Sequence, residues 1–318
     1  MRARRSGFAL MAALWLVVIV GVTGYELSVR SRSRRLAVAN TLEHVAADAA
    51  AEGGLETARA ALQNRLAHPL DGRIGSLAAA TLDPWSDLTF VPRDTVRMGD
   101  ERASVLAYDA GTRLQLNKAT EADVRRLLIA LRVDAGVADR LAQRILDWRD
   151  ADTFRRARGM ERDDYLRAGA RVLPSNSDFT DVAELQDVDG MTPELYAQLA
   201  DLLTVFGTGQ VNFNTAPRVL LASLPGMGDE AVSIVLRAQA SHTPLRSLDE
   251  IINRLSPGAR ALIADDGGAL AQRAAFDTRE VIVEATGWVS GSPVRSHARA
   301  VYARGGDAFF TTWHQGGR

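Results

Sequence analysis

No cysteine occurs in this 318-residue chain. Disulfides, thiolate nucleophiles and cysteine-ligated zinc are therefore excluded, while the redox compartment stays open. Lysine is almost missing as well. Lys118 is the single one, and every other basic residue is arginine, a bias we ascribe to a GC-rich genome rather than to chemistry. Neither sign of charge is in excess: Lys+Arg number 38 against Asp+Glu 39, so the chain as a whole is not an electrostatic nucleic-acid binder. The histidines (His44, His68, His242, His297 and His314) are scattered without ligand spacing, and neither a nucleophile elbow nor a phosphate loop is present. With no catalytic constellation, the chain reads as a non-enzyme. Its 47% apolar and 24% charged residues suit a globular protein of two or more compact units, and exclude a disordered, collagen-like or polytopic membrane chain.

A basic leader, Met1 to Gly7, precedes an uncharged run of 18 residues from Phe8 to Tyr25. At about 1.5 Å per residue the run spans roughly 27 Å, close to the hydrocarbon thickness of a bilayer. A signal peptide or a plain anchor begins in the same way. A signal peptide, however, ends in a small-residue cleavage site, and here the run passes into Glu26 and Arg30-Ser-Arg-Ser-Arg-Arg35. Arginines on both flanks orient the segment only weakly. Leu42, Val45, Ala49, Leu55, Ala58, Leu62 and Leu66 then recur at helical spacing, with no proline before Pro69. This predicts one helix over 8–66, apolar at its start and amphipathic later, with a weak point at Gly53-Gly54. The arrangement resembles a type IV pilin or pseudopilin precursor, which implies cleavage by a prepilin peptidase between Gly7 and Phe8. The fifth residue after that cut is Ala12, where most such proteins carry glutamate. A carboxylate in lipid is costly unless paired, and the resemblance implies pairing with the N-terminal amine of a neighbouring subunit. Its loss points to a subunit at the filament tip, with none ahead of it.

From 94 to 116 the pattern is strand-like, with a hairpin turn at Gly99-Asp100, and the next convincing strands are 278–289, 294–303 and 308–313. The residues between read as helices at 120–133, 136–150, 181–186, 192–206, 216–224, 229–239 and 247–255, several of them preceded by Ser, Thr or Asp. A faint internal repeat runs through them: Leu114-Gln-Leu-Asn117-Lys-Ala119 is echoed by Val211-Asn-Phe-Asn214-Thr-Ala216. The second copy continues into Leu224-Pro-Gly-Met-Gly228, which resembles a helix-hairpin-helix. DNA-binding versions hold a phosphate on the hairpin's backbone N–H groups, so the rival reading is a membrane-tethered DNA receptor of the competence type. Asp229 and Glu230 directly after this hairpin, and Glu194 after the related Asp189-Gly-Met191 turn, would repel a phosphate. A hairpin that only packs helices is favoured, with no nucleic-acid partner.

Residues 147–189 hold eleven acidic and seven basic residues, net −4. Asp147 ends a predicted helix, and Asp150 and Asp152 fall in the turn beyond it, followed by Glu161, Asp163 and Asp164. The spacing is not that of an EF-hand, but several loop carboxylates are what Ca²⁺ requires. Interleaved Arg155, Arg156, Arg158 and Arg162 would pair the same acids in a solvated loop, and spacing alone leaves both readings open.

The leader, the missing glutamate and a series of motifs together resemble the type II secretion minor pseudopilin K family (general secretion pathway protein K). The motifs are D-W-x-D-x-D from Asp147, E-x-x-D-Y from Glu161, Asn176, D-V-A-E-L from Asp181, D-G-M-T-P-E-L-Y from Asp189, V-N-F-N-T-A from Val211 and L-P-G-M from Leu224. The Arg-rich run 155–158 and Gly159-Met160-Glu161 depart from the family pattern. The resemblance implies an α+β fold: a long pilin-like N-terminal helix packed on an antiparallel sheet, with a large all-helical insertion of helix-hairpin-helix, SAM-like character. It implies a structural Ca²⁺ ion with Asp147, Asp150, Asp152, Glu161, Asp164 and Asn176 as candidate ligands. It also implies a single-pass protein of the bacterial inner membrane with a periplasmic head. That head would sit at the tip of the pseudopilus with the I- and J-type minor pseudopilins, in export of folded proteins across the outer membrane. The expected segments are a leader (1–7), a membrane-spanning helix (8–25) and its amphipathic continuation (26–66). They continue with the first part of the pilin-like domain (67–110), the insertion (111–262) and the C-terminal strands (263–318). N-terminal sequencing of protein made alongside an active prepilin peptidase is expected to begin at Phe8. A start at Met1 or after a later small residue contradicts the precursor reading.

Overall fold

A computed structural model describes residues 5–68, 83, 85, 87–92, 95–266, 268–305 and 308–316. The leader therefore lies outside the described residues up to residue 4, as does most of the link that follows the long helix. Helix α1 (Arg5–Ala67) runs unbroken through Gly53-Gly54. Its start, from Leu10 to Val29, is exposed, and it is the one helix among the described residues long and apolar enough to cross a membrane. The intended cut at Gly7–Phe8 falls within its first turns, where the side chains lie outside the described residues.

Strands β1 (Val96–Met98) and β2 (Glu101–Asp109) form a hairpin, with Gly99 in the left-handed region at the turn. The chain then leaves the sheet through β3 (Leu114–Gln115), α2 (Glu121–Ala130), α3 (Ala135–Arg149) and α4 (Arg162–Arg167). It continues as α5 (Pro193–Ala200), β4 (Leu203–Thr204), β5 (Val211–Asn212), α6 (Arg218–Ser223), α7 (Asp229–Ala240) and α8 (Leu248–Ile252). After α9 (Pro257–Ala264), α10 (Ala269–Arg273) and β6 (Ala274–Ala275), it returns as β7 (Glu280–Val289), β8 (Ser296–Gly305) and β9 (Ala308–Gln315). The main sheet has the order β1-β2-β7-β8-β9 and is antiparallel throughout. Because β2 pairs directly with β7, the chain leaves one strand and re-enters its neighbour across a long excursion.

Alternation decides which side chains meet α1. Ala103, Val105 and Ala107 of β2, Val281, Val283 and Ala285 of β7, and Ala298, Ala300 and Tyr302 of β8 face it. The helix answers with Ala47, Ala50, Ala51, Leu55, Ala58 and Leu62, all buried. Leu42 and Val45, which the apolar spacing places on the same face, are 65% and 59% exposed, so the packed stripe is set by small residues instead. At Gly287 the contact is backbone on backbone: a Cβ there would lie 2.3 Å from both the Ala47 carbonyl oxygen and the Ala51 nitrogen.

The excursion has its own core, which includes Leu116, Leu127, Leu141, Trp148, Tyr165, Leu185, Phe213 and Leu220. It is not purely helical. β3 pairs in parallel with β4, and β5 with β6, so residues 203–204, expected to end a helix, form a strand. Residues 181–186 form a 3-10 turn, Val182–Asp187. The helices also continue past 262, because α10 contributes Leu270 to this core. The internal repeat has a structural meaning. Asn117 donates to the Phe179 carbonyl and accepts its N–H, both at 2.9 Å. Asn214 does the same with Leu245 at 2.9 and 2.8 Å. Each asparagine closes one half of the excursion.

Where the excursion leaves and rejoins the sheet, buried Asp109 collects four donors. Its Oδ1 accepts from Gly111 N–H (2.8 Å), and its Oδ2 from Asn212 Nδ2 (2.7 Å), Thr215 Oγ1 (2.8 Å) and Thr278 Oγ1 (3.0 Å). Burial raises its carboxyl pKa, against these hydrogen bonds.

Gly287→Ala is expected to destabilise the full chain in detergent by about 3 kcal/mol, since neither backbone can move aside cheaply. Gly258→Ala, in α9, where a Cβ meets nothing within 4 Å, is expected to hold or slightly raise the melting temperature, because alanine favours the helix by up to about 1 kcal/mol. Thermal unfolding checks the pair.

Candidate metal centre

Helix α3 ends where the acids begin. Asp134 caps its start, its Oδ1 accepting from Gly136 N–H at 2.9 Å and Val137 N–H at 3.1 Å. Ala138, Leu141, Ala142, Ile145 and Trp148 are buried, and so is Asp147 in the last turn. Asp150 adopts an extended backbone, which stops the helix and carries Asp150 and Asp152 into a loop. Phe154 N–H turns back onto Asp152 Oδ1 at 2.8 Å. The chain returns at Glu161, whose N–H donates to Asp164 Oδ2 at 3.1 Å as α4 starts. Trp148 and Tyr165 meet edge to face at 5.3 Å and hold the two helices together. Asn176 takes a left-handed φ of 49°, which asparagine tolerates better than most residues, and its Nδ2 donates to the Asp152 carbonyl at 2.8 Å. That bond fixes the amide and leaves Oδ1 as a spare acceptor.

The fold thus brings one oxygen each of Asp150, Asp152 and Glu161 within 4.8 Å of one another, the one such convergence among the described residues. Asp150 Oδ1, both Glu161 carboxylate oxygens and Asn176 Oδ1 are buried without a well-aligned hydrogen-bond donor, and the nearby Arg162 N–H offsets only part of the burial of Glu161. Buried polar atoms are nearly always paired, and an unmet one costs about 1–3 kcal/mol. All four are acceptors, so the missing component is a donor or a cation. Burial pushes the Glu161 carboxyl above its ordinary range, and the neighbouring charges of Asp147, Asp150 and Asp152 push it further. Hard oxygens alone, offered by a loop, fit Ca²⁺ and not the nitrogen and sulfur preference of zinc.

The remaining candidates take other partners. Asp147 Oδ1 meets Arg156 Nη1 at 2.5 Å and its Oδ2 accepts Arg156 N–H at 3.2 Å. Burial raises the Asp147 pKa despite these bonds. The carboxylate lies so close to Gly159 that a Cβ there would be 1.8 Å from Oδ2. Asp164 Oδ1 is held by Arg155 at 3.4 Å and Arg167 at 2.6 Å. Arginine pairing of the loop is therefore real at Asp147, Asp150 and Asp164, while Asp152 and Glu161 have no arginine within ion-pair distance among the described residues. Glu121, whose Oε2 lies 3.9 Å from Arg156 Nε, joins the cluster from α2, a helix upstream, and no local spacing links it to the loop.

The glycine hairpin before α7 is covered. A Cβ on Gly226 would lie 2.8 Å from Ile263 Cα and from the Leu262 carbonyl oxygen, so the hairpin rests on α9. Glu230 accepts from Ser256 N–H (2.8 Å) and Oγ (2.6 Å), bonds that lower its pKa, and Asp229 pairs with Arg218 at 3.2 Å.

Residues 103–208 match a family described as type II secretion system (T2SS), protein K. The matched stretch is a third of the chain. It contains the whole acidic loop with Asn176, and the resemblance read from the sequence is borne out there. Type II secretion system protein K of Dickeya chrysanthemi is 33% identical over 127 residues, which cover 38% of this chain and 34% of that protein, so the match spans about a third of the relative's length. A chain of the GspK–GspI–GspJ complex from the type 2 secretion system of enterotoxigenic Escherichia coli superposes with a TM-score of 0.60. The superposition covers 91% of this chain and 99% of that chain at 18% identity, and shows the fold: a long N-terminal helix on an antiparallel sheet with the helical excursion.

The raised carboxyls give a pH test. Glu161 and Asp147 are protonated more readily in the folded than in the unfolded chain, so without metal their contribution to stability falls as pH rises through and above the ordinary carboxylate range. A bound cation requires the ionised forms. The melting temperature gained from Ca²⁺ over chelator is therefore expected to be small near pH 4.5 and to grow towards pH 7. A gain independent of pH contradicts the assignment.

Proposed function

We propose that this chain is a minor pseudopilin of the bacterial inner membrane, processed after Gly7 by a prepilin peptidase, with its head in the periplasm. There it caps the type II secretion pseudopilus with I- and J-type minor pseudopilins and serves the export of folded proteins across the outer membrane, without an enzymatic role. One observation carries the reading. A single helix is exposed and apolar from Leu10 to Val20 and packs its later turns into a five-stranded head, and the protein K match covers most of the head's second strand and the first part of the excursion. The match to a chain of the GspK–GspI–GspJ complex supports the fold, and that assembly suggests the partners. Ala12 in place of the usual glutamate suits a subunit with no neighbour ahead of it. The covered hairpin, with Asp229 and Glu230 engaged beside it, supports helix packing over a phosphate site.

Asp150, Asp152, Glu161 and Asn176 would hold Ca²⁺, which supplies the positive charge that the four buried oxygens lack. The chain's own part is structural. Asn176 ties the loop to Asp152, Trp148 and Tyr165 fix α3 against α4, and the loop surface keeps one shape only when its acids are neutralised. An ion that binds only the folded chain, at a hundredfold excess over its Kd, adds roughly 2.7 kcal/mol.

The test is association of the detergent-solubilised chain with I- and J-type minor pseudopilins. Chelation is expected to weaken capture and readdition of Ca²⁺ to restore it, with Asp150→Ala/Asp152→Ala insensitive to both. Absence of capture under every condition contradicts the partner assignment. Capture indifferent to chelator contradicts the metal's role at the tip.

A further inference from the structure

The acids of this region form two adjoining groups that share Asp150. In the first, Asp150 converges with Asp152 and Glu161, and the buried oxygens there have no well-aligned donor. In the second, the Arg156 guanidinium sits among three carboxylates: Nη1 is 2.5 Å from both Asp147 Oδ1 and Asp150 Oδ2, and Nε is 3.9 Å from Glu121 Oε2. One nitrogen bridging two carboxylates, with a third beside it, is how a cation is held.

We propose that Arg156 is a built-in cation that fills one of two cation positions in this acidic knot, so that the chain takes one divalent ion where its carboxylates would otherwise take two. The proposal rests on the calcium reading for the first position but makes a separate statement about the second. Charge decides it. Glu121, Asp147, Asp150, Asp152 and Glu161 carry five negative charges, and none of the five is paired with a lysine or with any arginine other than Arg156 among the described residues. Asp147 is fully buried, and an uncompensated buried charge is among the costliest defects a fold can carry. A guanidinium is always charged and cannot dissociate into the medium, so it neutralises Asp147 whatever the Ca²⁺ concentration. The end of α3 is thus secured permanently, while the loop of Asp152, Glu161 and Asn176 is left to respond to the ion. The remaining Arg-rich residues do not share this role: Arg155 binds Asp164 and Arg158 lies 3.7 Å from Asp139.

Metal content and thermal unfolding of the full chain in detergent test this. Wild type, equilibrated with Ca²⁺ and freed of excess by gel filtration, is expected to carry one ion per chain. Arg156→Gln is expected to carry one more than wild type, to melt about 6 °C or more lower in chelator, and to recover most of that loss when Ca²⁺ is added. Arg156→Lys keeps a charge at the same place and is expected to bind as wild type does. If Arg156→Gln does not survive chelation, its metal content is measured on protein purified in Ca²⁺ throughout. Glu121→Gln in the Arg156→Gln background removes a carboxylate from the opened position and is expected to lower the affinity for the extra ion at least tenfold. Equal metal content in wild type and Arg156→Gln, with a melting loss that Ca²⁺ does not recover, overturns the proposal and leaves an ordinary ion pair. Two ions in wild type overturn it as well. A wild type without bound Ca²⁺ beside an Arg156→Gln that gains one ion would instead overturn the calcium reading of the first position and sustain the role of Arg156.

Discussion

The close approach of α1 to the sheet is the constraint on which the head depends. At Gly287 the strand backbone touches the helix backbone, and around it the contact is built from alanine on both sides: Ala47, Ala50 and Ala51 on the helix, Ala103 and Ala285 on the strands. Gly54 lies in the same seam, where a Cβ would meet Ala103 at 3.0 Å and Ala285 at 3.2 Å. Small residues allow many close atomic contacts per turn, and such a seam tolerates neither insertion nor slippage, because a one-residue slip of a strand would turn its polar face inward. The same helix is unburied from Leu10 to Val29. One element thus fixes the head and supplies the apolar segment read as the anchor.

The excursion is joined to this head through buried Asp109, and also through the Arg299–Asp181 ion pair and the Phe206–Trp313 ring contact. From the end of the departing strand the Asp109 carboxylate binds the turn that follows, the second repeat through Asn212 and Thr215, and the approach to the return strand through Thr278. The two halves of the excursion each carry an asparagine clamp. The clamp of Asn117 on Phe179 closes the half that contains the acidic knot. In the proposed reading a loop held in this way would respond to a cation without loosening the core beneath it, while Arg156 stays paired with buried Asp147.

Much of this was legible in the residues. The long helix, the Gly99 hairpin, the three C-terminal strands and the helical stretch between them follow from period and turn chemistry, and all are found. The parts that were not legible have physical reasons. Leu42 and Val45 carry the apolar period, yet the sheet selects the alanines beside them because only small side chains permit the backbone contact at Gly287. The parallel pairs β3–β4 and β5–β6 are two residues per strand, too short for any period, so residues 203–204 read as helix. The asparagine repeat was visible as a pattern but not as a clamp, since Phe179 and Leu245 lie far from it in sequence. At the acidic loop, residue type and crowding pointed to the segment in which three carboxylates converge. Which acids converge depends on the return of the chain at Glu161 and Asn176, and Glu121 enters from another helix altogether.

The central claim is that the buried oxygens of Asp150, Glu161 and Asn176 belong to a cation site that the guanidinium of Arg156 adjoins but does not fill. A crystal structure of the full chain grown with Ca²⁺ and recorded at a wavelength that gives calcium an anomalous signal tests it most directly. The account predicts a single anomalous peak bounded by Asp150, Asp152, Glu161 and Asn176, with Arg156 still bridging Asp147 and Asp150. Ordered water at that position, or a peak lodged between Asp147 and Asp150 with Arg156 displaced, would contradict it.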